Sequence, residues 1–189
     1  MESEEIFDKI INEFTETYTP NYFYTERDIV WTIQKRLIEK IKERELQDKY
    51  RIFNEYPLLK VVKGEKGKGR SKSTDLVIKN KKENRIEIAI EFKYEPDHKR
   101  KDMPPDKLKQ QVVFWKDVMK DLDKIKYLME ELNLKQGEKP PKIVYFIFID
   151  EGKYRAECYR EIKNITDERS ILNGNGSIIL VKEVNSKQE

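Results

Sequence analysis

The chain is poor in the residues that most often build metal clusters and crosslinks. It has one cysteine, Cys158, which excludes an intrachain disulfide and a cysteine zinc cluster. It has one histidine, His98, which excludes any metal site built on several imidazoles. A metal would therefore be held mainly by oxygen ligands, the donor set that hard ions such as Mg²⁺ or Mn²⁺ prefer. Long apolar runs are also missing. The longest, residues 143–149, is far too short to span a bilayer. The acidic N-terminus has no apolar signal-peptide core, so a soluble, cytoplasmic protein without membrane partners is expected. No long polar or Pro-rich break divides the 189 residues, which suits a single domain with a real core.

What is abundant is charge of both signs. Lys and Arg number 39 against 36 Asp and Glu, leaving +3, so net charge permits nucleic-acid binding without arguing for it. This Lys- and Glu-rich composition is of the kind found in thermophile proteins, where surface ion-pair networks are common. Apolar residues fall in periodic blocks, so 40% charged residues do not imply disorder.

The periodicity predicts a short helix over 3–14 and a long one over about 26–46, with Val30, Ile33, Leu37 and Ile41 as its stripe. Thr25 and Asp28 stand at capping-box spacing. Residues 50–62 read as extended and interrupted at Pro57, and a basic glycine-containing loop follows over 63–72. Strands are predicted over 74–79 and 85–94, joined by the polar turn 80–84 as an antiparallel hairpin. In the second strand Ile86, Ile88, Ile90 and Phe92 share one face, and Glu87, Ala89, Glu91 and Lys93 the other. A second long helix is predicted from Pro105 to about Leu134, carrying Gln111, Trp115, Val118, Leu122, Ile125 and Met129 on one face. Residues 143–149 read as a strand buried on both faces. A helix over 152–165 and a last strand over 177–184 complete the chain.

Glu91 and Lys93 emerge on one face of their strand. A hairpin centred near Glu83 sets Asp75 opposite or diagonal to Glu91. Two carboxylates that close repel unless a cation lies between them. A divalent ion there would activate water and neutralise a phosphate, and Lys93 would stand beside both.

Thr74-Asp75 followed by Ile90-Glu91-Phe92-Lys93-Tyr94 resembles the PD-(D/E)xK nuclease superfamily, with Thr74 in place of the usual Pro. The element order over about 25–150 is similar to that family too. The resemblance implies a mixed α/β fold with a restriction-endonuclease-like core, in the order α-β-β-β-α-β, and residues 151–189 as an extension of the same domain, a helix and a strand. It implies a Mg²⁺- or Mn²⁺-dependent deoxyribonuclease, an endonuclease by expectation, with a homodimer as one possible assembly. Asp75, Glu91 and the backbone carbonyl of Phe92 would bind metal, and Lys93 would act on the attacking water. The family's helix Glu is best matched by Glu26, which lies on the buried stripe; a supporting Gln is best matched by Gln111, with Gln110 as the fallback.

Lys68, Arg70, Lys72, Lys99 and Arg100 are candidates for DNA phosphate contacts, with solvated loop charge as the plain alternative. For Glu91 and Lys93 the plain alternative is an exposed ion-pair face, and for Glu26 a first-turn acid favoured by the helix dipole. Residues 64–71 nearly spell a phosphate-binding loop, but Arg70 stands where lysine should be and a strand follows instead of a helix. His98 is expected to be exposed. Cys158, Trp31 and Trp115 are expected to pack, with Trp31 able to flank Glu26. The rival to an enzyme is a nucleic-acid-binding module that keeps the fold without turnover.

Overall fold

A computed structural model describes residues 2–58, 72–104, 112–130, 139–162, 165–171 and 176–185; of residues 21, 58, 72 and 125–130 it describes the backbone alone. Helices α1 (Glu2–Thr17) and α2 (Glu26–Glu43) come first, then strands β1 (Tyr50–Leu58), β2 (Lys72–Asn80) and β3 (Arg85–Glu95). Helix α3 (Trp115–Glu130) and strands β4 (Ile143–Asp150), β5 (Ile165–Ser170) and β6 (Ser177–Val184) follow. The six strands form one mixed sheet in the order β1-β2-β3-β4-β6-β5. Only β3 and β4 run parallel. A parallel pair needs a long crossover, and the segment carrying α3 supplies it. Among the described residues no helix is long and apolar enough to cross a membrane.

Helices cover both faces of the sheet. Ile6, Ile10 and Phe14 of α1 join Ile29, Ile33 and Leu37 of α2 in one core, against Leu76, Ile88 and Ile90. Each such fully buried side chain stabilises the fold by roughly 1.5–3 kcal/mol. Val118 and Leu122 of α3 fill the other face with Val77, Ala89, Val144 and Phe146. Helix α2 starts where expected. The Thr25 hydroxyl accepts from the Asp28 amide at 3.3 Å, and Asp28 Oδ2 accepts from the Thr25 amide at 2.8 Å.

The structure departs from the sequence reading in four places. Pro57 does not interrupt β1, because β1 is an edge strand and lacks a second partner to starve of a donor. Ile86 does not share a face with Ile88. The register slips between Ile78 and Lys79, leaving Glu87 as an extra residue, and this bulge turns Ile86 toward the α3 side. Residues 112–114 are not helical, so the described helix begins at Trp115 instead of running on from Pro105. Finally, the described residues 152–162 form no α-helix. A turn leads into a short 3-10 segment, Ala156–Glu161, and Ile165 already begins β5. The C-terminal region is thus two strands of the central sheet, with β6 pairing directly with β4.

Candidate active site

The site begins where two strands part. β2 stays paired with β1 down to Lys72, but its ladder with β3 ends at Leu76 and Ile90. Beyond that point the inner edge of β3 would carry unmatched amides, and buried amides require acceptors. Acidic side chains supply them. Asp75 Oδ2 accepts from the Phe92 amide at 2.7 Å, and Glu26, at the first turn of α2, stands near enough to the Tyr94 amide to be stabilised by it. The Thr74 hydroxyl donates to the Ile90 carbonyl at 3.0 Å and lies 3.3 Å from Glu91 Oε2. The Phe92 carbonyl leaves β3 on the same side as its N–H, toward this opening.

Strand alternation brings Asp75, Glu91 and Lys93 to the face that α3 covers, as Val77 and Ala89 in that core show. Helix α3 adds two groups. Lys124 Nζ pairs with Glu91 Oε1 at 2.5 Å, and Lys93 Nζ pairs with Asp121 Oδ2 at 2.9 Å. The face is not an exposed ion-pair surface. Glu91 is 5% exposed, and the side chains of Lys93 and Asp121 are only 22% and 23% exposed.

Four carboxylates (Glu26, Asp75, Glu91, Asp121) thus meet two lysines (Lys93, Lys124) in a half-closed space. The excess of negative charge shows in their proton affinities. Burial, then the neighbouring Asp75, push Glu26 up to about 7. Burial and Asp75 push Glu91 up to about 8, against the attraction of Lys124. Asp75 is raised as well, by burial, although the Phe92 amide pulls it back. Burial would lower Lys93, but its hydrogen bond and charge pairing with Asp121 outweigh this and leave it raised. These groups titrate as a set.

Sequence reasoning placed Asp75, Glu91, Lys93 and Glu26 together, and the structure does bring them together. Gln111 and its fallback Gln110 lie outside the described residues, as do Lys68 and Arg70, and the side chain of Lys72 is not described. Lys99 is exposed, as a phosphate contact requires. Arg100 is not available for that role. It is 8% exposed, pairs with Glu151 at 2.9 Å and Asp102 at 2.7 Å, and donates to the Phe23 carbonyl. Burying a guanidinium requires just such partners, which the loop sequence alone did not reveal. His98 is also not exposed: its ring pairs with Glu95 and packs against Tyr154. Trp31 proves 72% exposed instead of packed.

Asp121 and Lys124 were missed. Asp121 lies three residues after Val118, on the helix's apolar stripe. That was the signal that singled out Glu26, and it was readable here too. Among the described residues no three of His, Cys, Asp and Glu are gathered into a ready-made ligand shell; Glu91 and Asp121 are each paired with a lysine. Beside the acids lies a cavity of about 810 Å³, lined among others by Glu26, Asp75, Val30, Trp31 and Asn54. In comparisons with known proteins, the chain matches no family model, no curated protein and no solved structure.

Proposed function

We propose that the protein is a metal-dependent nuclease that hydrolyses DNA phosphodiester bonds. One observation carries this reading. Asp75, Glu91, Lys93 and Glu26 come from three separate elements and converge where β2 and β3 part. The resemblance of these residues and their spacing to PD-(D/E)xK nucleases supports it.

The donor set suits a hard divalent ion. It offers carboxylates and a carbonyl with neither imidazole nor thiolate, and its negative charge is under-compensated. Glu26, Asp75 and Glu91, with the Phe92 carbonyl, would hold Mg²⁺ or Mn²⁺. Such an ion, when bound, lowers the pKa of water and offsets phosphate charge. Lys93 orients the attacking water and stabilises charge that develops on the phosphate. Asp121 fixes the Lys93 ammonium and keeps it protonated. Lys124 partly neutralises Glu91, and with Lys93 it also attracts Asp75. The three raised acids then have a common role: each is costly to ionise alone and cheap to ionise beside a cation.

Cleavage of linear, circular, single-stranded and branched DNA with Mg²⁺ or Mn²⁺ tests the proposal. The expected result is metal-dependent cleavage that Asp75→Ala and Lys93→Ala remove. Equal cleavage by both variants, or none by the wild type, argues against it. The ion pair between Lys124 and Glu91 favours a second reading, a nucleic-acid-binding module without turnover. Salt-sensitive binding with no cleavage in any metal would select it.

A further inference from the structure

We infer that the cavity beside the acids is a nucleobase-binding site with Trp31 as its stacking platform, so that the preferred substrate is single-stranded DNA. This rests on the nuclease reading above and names its substrate class. Trp31 lies on α2, five residues beyond Glu26, and is 72% exposed. Trp31 lines the cavity of about 810 Å³ that also touches Glu26 and Asp75. It equally lines a second hollow of about 640 Å³, with Thr32, Lys35 and the half-exposed Ile38. Trp31 thus borders two hollows, one of them shared with the acids Glu26 and Asp75. Both volumes fall in the range of roughly 300–1,000 Å³ that small ligands fill.

The occupant follows from what adjoins this ring. A phosphodiester placed on Asp75 and Glu91 carries a base within reach of whatever lines the same cavity. Every base has a flat face that an indole can cover, whatever its sequence. In duplex DNA those faces are already stacked on their neighbours, so only an unpaired strand offers them without a further cost. The rim also provides cations for the backbone. Arg27 pairs with Glu55 at 3.3 Å and Lys35 with Glu39 at 4.0 Å, and in both pairs the side chains are mostly exposed. Such pairs hold their cations weakly and release them to a phosphate.

The test uses fluorescein-labelled oligodeoxythymidylate and a blunt-ended DNA hairpin of equal length closed by a non-nucleotide linker, with wild type, Trp31→Ala and Trp31→Phe, in EDTA and in Ca²⁺. The expected result is about tenfold weaker binding of the single strand by Trp31→Ala, with Trp31→Phe retaining most of the affinity. Hairpin binding is expected to be equal for all three proteins. Oligodeoxythymidylate should quench the intrinsic fluorescence of the wild type and leave Trp31→Phe, whose remaining indole is Trp115, unquenched. Single-strand binding that is unchanged in Trp31→Ala overturns the inference, as does an equal loss on the hairpin. Cleavage is scored separately in Mn²⁺. Cleavage with Trp31-independent binding removes the base site and spares the nuclease, whereas Trp31-dependent binding without cleavage spares the base site and removes the nuclease.

Discussion

Glu91 and Glu95 stand on the same strand, four residues apart and on the same face, and both are buried. Their surroundings differ in kind. Glu95 accepts from the Val113 amide at 2.5 Å and pairs with the His98 ring. Its neighbours at the end of β4 are equally well provided. Asp150 accepts from the amides of Tyr154 and Arg155 and from the Tyr159 hydroxyl, at 3.0, 2.8 and 2.9 Å. Glu151 accepts from the Tyr18 hydroxyl and the Asp97 amide and pairs with Arg100. Around Glu91 the acids face one another: Asp75 raises both Glu91 and Glu26, and Asp121 adds to this. Buried acids are thus of two sorts here. One cluster clamps the loops after β3 and β4, and donors the fold supplies hold its acids, although burial still raises Glu95 and Asp150 adds to this. The other sets acids against one another beyond what its lysine and amide partners offset, a cost that a ligand would relieve.

The largest effect expected from this contrast is on turnover. Asp75→Asn and Lys93→Ala should each lower metal-dependent cleavage by at least about 10²–10³-fold. Their circular dichroism should match that of the wild type. Next in size is a loss of stability at the other cluster. Asp150→Ala orphans two amides and a phenol, and should cost on the order of 3 kcal/mol. In a thermal scan that is a Tm lower by about 10 °C. Glu91→Gln, scanned in EDTA, should lose less stability than Asp150→Ala, because the repulsion from Asp75 that it removes offsets the lost pairing with Lys124. Equal losses in the two variants would erase the distinction between the clusters.

A smaller effect is expected on pH dependence. Glu26 and Glu91 hold their protons more tightly folded than unfolded, so the folded state binds more protons above the ordinary carboxylate range near 4.5. Stability in EDTA should therefore fall as pH rises from about 5 to about 8, and this contribution should level off above that. A decrease in Tm of about 5 °C across the window is expected. Millimolar Mn²⁺ should raise Tm more at pH 8 than at pH 6, since its ligands must be ionised. A Tm that climbs over this range in EDTA would contradict the repulsion. The smallest effect belongs to the exposed pair of Arg27 and Glu55: Arg27→Ala should move Tm by less than about 1 °C.

Much of this was legible from local pattern. The turn at 80–84 between two alternating segments fixed the hairpin, and the hairpin fixed that Asp75 and Glu91 share a face. The continuous apolar run at 143–149 announced a strand buried on both sides, as β4 is. Glu26 was readable because an acid on an apolar stripe needs a reason. Asp121 carried the same signal and was overlooked. Arg100, His98 and Trp31 could not be placed, because burial at a loop or on the outer face of a helix depends on elements far away in sequence. Arg100 is enclosed by Phe23 and Glu151, which lie 77 and 51 residues from it.

By itself, then, the sequence determined period, and period determined which side chains travel together on one strand or one helix. That is a local steric property of the backbone. It determined the Asp75–Glu91–Lys93 face and the two-sided burial of β4. The tertiary structure alone decided where β2 leaves β3, which acid takes the vacated amide, and which lysine of α3 meets Glu91. It also set β5 and β6 into the central sheet. Those outcomes depend on long-range packing and on how each buried charge finds a partner, and no local periodicity encodes either.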